Sequence, residues 1–572
     1  MRGSLRDLVG ALHDNLPMTD SAPWPAGDTP QGRKARGAFF TPAEIAHYIA
    51  AWAIRSPEDR ILEPSSGDAA FLVAASDRLR ELGGDPGGRP EVDGVEIHSA
   101  SAEVARRRVT AAGGDPRIHV GDFFAVPPRP AYSAVIGNPP YIRYQQFRGD
   151  SLIESRKAAL SAGVALSRLA SSWAAFTVHA AMFLADGGRL GLVLPGELLS
   201  VNYAGVVRKF LFDRFATVDL VLFDEQVFPG AEADVVLLLA DGFNGGPSAH
   251  ATIHRAPNAA ALTSVLARHH WVPPDPSDKW VSGLIGGAPA TKIAALTAAG
   301  HFTTLDQWGD TTLGMVTGNN GYFALSRQRM VELGLRDSDV VRLSPPGSSH
   351  LRGLVLSPKL LNRLEDNGKS VYLFRPGTDP SPAAQRYIDA GHTAGVHTAY
   401  KCRIRRPWYR VPLLRPADLL LTCMNADTPR LVTNQVHAHH LNSVHGVYLH
   451  DTHRAAGREL LPLAMLNSVT VLHAEMVGRA YGGGILKIEP READRWAVPS
   501  RDLVTSHADG LRAVRRQIAT LLRHGRLMEA VAIIDEVLDL QAQLGSSKAL
   551  KSLQIAHDSL SSRRTARSRG GR

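Results

Sequence analysis

Four short apolar runs in series, each delivering a polar side chain at its carboxyl end, constrain this chain more than any other feature. Ile61-Leu62-Glu63 runs into a turn around Gly67 and a helix beginning near Ala69. Glu91-Val-Asp-Gly-Val-Glu-Ile97 is a second strand, with Glu96 near its end. Ile118-His-Val120 leads into Gly121-Asp122-Phe123-Phe124, and Ala134-Val-Ile136 leads into Asn138-Pro139-Pro140-Tyr141. Strands spaced this way between helical stretches specify βαβ units and a parallel sheet. Ligands of such open sheets sit outside the carboxyl ends of the strands. The expectation is a doubly wound, Rossmann-like α/β domain with its chemistry at those four ends.

The tetrapeptide carries the most specific chemistry. Two consecutive prolines fix the backbone and remove two N–H donors, which leaves their carbonyls outside any local ladder. Asn138 Oδ1 and the Pro139 carbonyl can both accept hydrogen bonds from an exocyclic amine, while Tyr141 stacks on the ring that carries it. An adenine N6 lone pair is delocalised into its ring. Two acceptors that draw the N6 hydrogens out of plane localise the pair and aim it at an electrophile, with no strong base required. Taken alone, Asn-Pro-Pro also reads as loop punctuation. The strand ends upstream decide against that reading: Glu96 can take both hydroxyls of a ribose, and Asp122 can bind an adenine amine beside aromatic walls.

With those residues in place, the chain resembles the class I S-adenosylmethionine-dependent adenine-N6 DNA methyltransferases, in the gamma arrangement. Gly37-Ala-Phe-Phe-Thr-Pro42 is similar to the family's N-terminal cofactor motif, and Glu63–Phe71 to its glycine loop. The resemblance implies that Thr41, Glu63, Pro64 and Gly67 hold the methionine part of S-adenosyl-L-methionine. It implies further that Glu96, with Ile97 beside it, holds the ribose, and Asp122 with Phe123 the adenine. Asn138, Pro139, Pro140 and Tyr141 form the catalytic corner. Phe228, within Gln226-Val-Phe-Pro-Gly230, takes the place of the aromatic that stacks on a flipped target base. Ala69 stands where many members have a second glycine, and its methyl is expected to narrow the approach to the carboxylate end of the cofactor. Trp308–Phe323, Arg406-Pro-Trp-Tyr409 and Tyr481–Pro490 resemble landmarks of the recognition domain in larger members. The implied activity is methylation of adenine N6 in double-stranded DNA, in a restriction-modification or phage-defence setting.

Charge gives the partner a place to bind. The formal net charge is +9, but Arg563–Arg572 holds five arginines and no acid, so the remainder is only about +4 and binding of a polyanion must rest on local clusters. Lys401–Arg415 has six positive residues and no acid. Lys401, Arg403, Arg405 and Arg406 are expected on phosphates, with Trp408 and Tyr409 packing or stacking. Two cysteines, Cys402 and Cys423, supply neither a disulfide framework nor a four-ligand zinc site, and read as buried thiols in a reducing cytoplasm. His437, His439, His440 and His445 lack matching carboxylates or thiols and are not read as metal ligands, and Asn434–Asn442 reads as a surface or DNA-facing loop. No metal is expected, since transfer from a sulfonium needs none. No stretch has the length of a membrane span.

The chain divides into a leader (1–36) whose only helical hint is Leu5–Leu16, the catalytic domain (37–245), a mixed α/β recognition domain (246–500), C-terminal helices (501–544) and a disordered basic tail (545–572). Within the catalytic domain a helix is expected over Tyr203–Phe215 and a strand over Thr217–Phe223, and Gly242–Ser248 reads as the exit linker. Leu511–Arg523 and Leu527–Leu540 read as amphipathic helices. A separate restriction endonuclease is an expected partner. Other readings stay open: a protein glutamine-N5 methyltransferase, whose substrate is also a planar amide; a DNA specificity protein with an idle catalytic half; and, as the nearest chemical competitor, cytosine N4 methylation, against which Asn rather than Ser at position 138 speaks.

Overall fold

The computed structural model describes residues 41–83, 88–142, 147, 149–225, 227–228, 235–264, 267–273, 275–481 and 483–566. The leader and its expected helix over 5–16, the start of the Gly37–Pro42 motif, and Gln226, Pro229 and Gly230 lie outside them. The chain forms two compact units that divide at Gly287/Ala288.

The first unit is built on a nine-stranded sheet. Its strands are β1 (Ile61–Glu63), β2 (Glu91–Glu96), β3 (Asp115–Val120), β4 (Tyr132–Gly137), β5 (Leu184–Pro195), β6 (Phe215–Phe223), β7 (Val235–Phe243), β8 (Ala251–Ala256) and β9 (Ala267–Trp271), in the order β3-β2-β1-β4-β5-β7-β6-β8-β9. β3, β2, β1, β4 and β5 run parallel, whereas β7 is antiparallel to both its neighbours. The central strands are apolar on both faces, as an interior parallel sheet requires: Ala134, Val135 and Ile136 are fully buried. Helices α1 (Ala43–Ala53), α2 (Ala70–Glu81) and α3 (Ser99–Ala111) bury Ile49, Leu72 and Ala105 against Ile61, Ile136 and Val193. The alternate residues Val135, Leu192 and Leu194 point the other way, toward the side covered by α4 (Asp150–Ser161), α5 (Ser172–Ala181) and α6 (Gly205–Arg214). Every residue of α5 is buried. The chain winds outward from β1 through β2 to β3 and then returns to β4 on the other side. The switch point therefore falls between β1 and β4, with Glu63 and Asn138 at its two lips.

One expectation needs correction here. Gly242–Ser248 was expected to leave the catalytic domain at 245, but the chain re-enters the sheet as β8, parallel to β6, and turns back as β9. The unit runs on to Gly287.

The second unit holds a five-stranded sheet ordered Gly309–Leu313, Val444–Leu449, Leu419–Thr422, Leu431–Asn434 and Val355–Leu356, with smaller sheets beside it. One core gathers Tyr322, Phe323, Phe374, Tyr387 and Cys402. Helices Ala508–Arg523 and Leu527–Val537 match the expected amphipathic pair. The segment past Gly545 was expected to be disordered; Ser547–Ala566 is instead a helix that buries Ala549, Leu553, Ala556 and Leu560. Its Arg564 is 3% exposed and pairs with the buried Glu475 at 2.7 Å. No single helix among the described residues is long and apolar enough to cross a membrane.

Candidate active site

A cavity of about 430 Å³ opens at the carboxyl ends of β1, β2 and β4. Its wall includes Thr41, Glu63, Pro64, Gly67, Glu96, Ile97, Asp122 and Phe123, so the fold brings all eight expected cofactor residues together. Asn138 and Pro140 lie on the same wall.

The loop after β1 explains how. Gly67 adopts a left-handed φ of +49°, and Ser66 N donates to Val95 O at 2.9 Å, which ties the turn to β2. That approach needs Gly94, because a side chain there would collide with Ser66 Oγ and Leu72. Glu96 then fixes the turn from the other side: Oε2 accepts from Gly67 N and Oε1 from His98 N, both at 2.8 Å. A carboxylate has about four acceptor sites, so Glu96 keeps capacity for hydroxyl donors. Glu63 is 2% exposed, and its Oε2 accepts from Leu72 N at 3.2 Å in the first turn of α2. Burial above all, with Asp68 and Glu96 adding repulsion, pushes its carboxyl well above the usual carboxylate range.

Asp122 is held by Phe124 N on Oδ1 at 3.0 Å and by Ser151 Oγ on Oδ2 at 2.6 Å. Phe123, Phe124, Phe147 and Phe176 form the apolar wall beside it, with Phe124 and Phe176 edge to face at 4.6 Å. Phe124 was legible as part of that wall. Ser151, Phe147 and Phe176 were not: no local pattern marks them, and only the packing of α4 and α5 brings them to the strand ends.

The catalytic corner is preset. Asn138 Nδ2 donates to Thr41 Oγ1 at 3.2 Å, and the Tyr141 hydroxyl lies 2.8 Å from Asn138 Oδ1 and 3.0 Å from Val193 O. Tyr141 packs against the core, and burial raises its phenol well above the usual range, so it stays a donor. Pro140 O accepts from Ser172 Oγ. Among the described residues the Pro139 carbonyl accepts no hydrogen bond.

Four expectations fail on position. Phe228 does not line the cavity; it is 4% exposed and packs in the core with Phe223 and Val235, which removes it as a ready stacking surface. Ala69 does not narrow the cavity either. Its methyl is fully buried in the core, and the real consequence of lacking glycine there is a left-handed φ of +64°. The basic cluster divides: Arg405 donates to Thr317 O at 2.7 Å and to Val316 O, and Trp408 and Tyr409 pack on the second unit's core, whereas Lys401, Arg403 and Arg406 are exposed. His440 is buried rather than on a surface loop, and burial drives it down to about 4. Among the described residues no group of three or more His, Cys, Asp or Glu could hold a metal ion.

Comparison with known proteins gives the same outline. Residues 28–242 match the N-6 DNA Methylase family, and residues 277–538 match the C-terminal domain of Type II methyltransferase M.Eco57I. The chain is 26% identical over 491 residues to Type II methyltransferase M.XamI of Xanthomonas campestris pv. amaranthicola, covering 82% of this chain and 87% of that one. It is 21% identical to Type II methyltransferase M.AccI of Acinetobacter calcoaceticus, over 81% and 85% of the two chains. Among solved structures, the Type IIL restriction-modification enzyme MmeI in complex with DNA shares the fold, with a TM-score of 0.56 and 11% identity over 91% of this chain and 75% of that one. With a class I methyltransferase sheet in its first unit and these relatives along most of its length, the chain belongs to the N6-adenine DNA methyltransferase family, of the restriction-modification type.

Proposed function

We propose that this protein transfers a methyl group from S-adenosyl-L-methionine to N6 of an adenine flipped out of duplex DNA. It would act in the cytoplasm as the modification enzyme of a restriction-modification or phage-defence system, beside a separate restriction endonuclease. The observation that carries this reading is Asn138, oriented by Tyr141 and Thr41 at the switch point of the sheet.

The cavity's donor set suits the cofactor. Glu63 is a buried acid, and a cation beside it would stabilise its ionised form. Glu63 would thus sit at the amino-acid end, Glu96 would take ribose hydroxyls, and Asp122 with Phe123 would take the adenine. When bound, S-adenosyl-L-methionine supplies an electrophilic methyl on a sulfonium. The protein supplies orientation. Asn138 Oδ1 keeps a second lone pair beyond the one that faces Tyr141, and the Pro139 carbonyl is the other acceptor for the N6 hydrogens. N6 becomes strongly acidic only after methylation, so no carboxylate base is assigned. Flipping costs a few kcal/mol, offset by stacking on Tyr141, whose ring, unlike that of Phe228, is only partly buried.

The test is to incubate the purified protein with radiolabelled donor and a mixed pool of duplexes, and to digest the product to nucleosides. Label is expected on N6-methyladenine. Label confined to N4-methylcytosine, or no label on any duplex while a candidate protein supplied in a parallel reaction gains it on glutamine, would replace this reading.

A further inference from the structure

The Lys401–Arg406 segment shows an unusual surface. Tyr400–Arg403 is a single helical turn, continued by Ile404 at φ −84° and ψ −2°, so positions 400 and 404 fall on one face a turn apart. Tyr400 is 62% exposed and Ile404 57%. The inner side of the same turn is firmly docked. Cys402 is fully buried, with Sγ 3.6 Å from Thr317 O, and Arg405 is bonded to the carbonyls of Val316 and Thr317. Gly318, at φ +91°, lets the turn sit so close that a Cβ there would lie 3.1 Å from Lys401 Cβ. An aromatic and an aliphatic side chain are therefore held in water on a fixed platform.

Charge selects the occupant. Lys401, Arg403 and Arg406 surround the pair, and none has an acidic partner among the described residues; Lys401 Nζ lies 5.7 Å from the Tyr400 ring. The other exposed tyrosine in this unit, Tyr481, differs, because its neighbours Arg479 and Lys487 are already neutralised by Glu492 at 2.8 Å and Glu489 at 2.6 Å. Apolar side chains flanked by unpaired cations suit a polyanion with stacked apolar rings inside it. Proteins that kink duplexes insert such wedges between base steps while cations hold the flanking phosphates.

We propose that Tyr400 and Ile404 insert into the base stack of duplex DNA, with Lys401, Arg403 and Arg406 on the adjacent phosphates. This deepens, and rests on, the reading of the chain as a DNA methyltransferase. The test measures binding of the full-length protein to a fluorescein-labelled duplex, cut from a plasmid that it methylates, across a salt series. Tyr400→Ala should weaken binding by about fivefold, as loss of a stacking contact does, and Ile404→Ala by more than about twofold, neither changing the slope of log Kd against log salt. Lys401→Ala, Arg403→Ala and Arg406→Ala should each lower that slope by about 0.9. Tyr400→Phe, which keeps the ring, should bind like the parent. Affinities of Tyr400→Ala and Ile404→Ala within twofold of the parent, or a change in their salt slope, would overturn the insertion while leaving the methyltransferase reading intact. A parent protein that neither binds nor methylates any duplex would overturn both.

Discussion

At the scale of single residues, the site is a set of polar groups whose partners are already chosen. On the proposed reading, Asn138→Ala removes one of two N6 acceptors, and a missing preorganised contact of this kind costs about 100- to 1000-fold in kcat. Single-turnover methylation should fall by that amount while cofactor binding, followed by calorimetry, stays near the parent value. Tyr141→Phe is milder: it keeps the ring but drops the hydroxyl's bonds to Asn138 and Val193. A bond worth about 1 kcal/mol predicts a loss of about fivefold in kcat. Glu63 gives a pH signature. Its folded pKa is raised by burial, so its favourable contribution to the free protein is complete below the unfolded pKa and is lost as pH rises through the folded one. Glu63→Gln should therefore raise the melting temperature of the free protein at alkaline pH, with the gain vanishing in acid. The same substitution should weaken binding of the cationic cofactor, whose affinity for the parent should climb with pH over that window. The placement of Glu63, Glu96, Asp122 and Asn138 around one cavity was legible because each ends a strand or follows within two residues of one. Phe228 was misplaced because a sequence pattern cannot say which way a ring turns.

At the scale of elements, the strands of the first unit could be read because each is short, apolar and closed by a polar residue. Their edges moved by only a few residues: the helix expected over Tyr203–Phe215 is Gly205–Arg214, and the strand expected over Thr217–Phe223 begins at Phe215. Ser547–Ala566 was missed because the whole stretch past Gly545, of which it is a part, is rich in serine and arginine. Its buried residues nonetheless recur at Ala549, Leu553, Ala556 and Leu560, an apolar stripe with helical period that outweighs composition. That helix contributes the Arg564–Glu475 pair, with Arg564 also donating to Asp427 O at 3.0 Å and to Gly484 O. Removing one partner of a buried pair leaves an uncompensated charge, at a cost of about 3–5 kcal/mol. Denaturant unfolding of Arg564→Met should show a loss of that size, and Arg564→Met combined with Glu475→Leu should recover much of it. Equal losses in the single and double variants would mean that Glu475 is not the penalty.

At the scale of the whole molecule, the boundary between the two units was hidden because nothing in Gly242–Ser248 distinguishes a linker from a turn between strands. Only the register of β8 on β6, Val218 opposite Ala251 through Phe223 opposite Ala256, shows the sheet continuing. The thiols report on the integrity of the second unit. Cys402 and Cys423 are both buried and unpaired with each other, and burial raises both, Cys423 to about 11. A thiol reagent at mildly alkaline pH should find no reactive group in the native protein and two after denaturation, with no effect of reductant on the unfolding midpoint. The Arg564 clamp bears on how this unit comes together. It joins positions 89 residues apart at Glu475 and 138 apart at Ala426, contacts of a separation that slows folding. Until both partners are in place neither charge has the neighbour that makes its burial tolerable, so the last helix and Glu475 can only settle together.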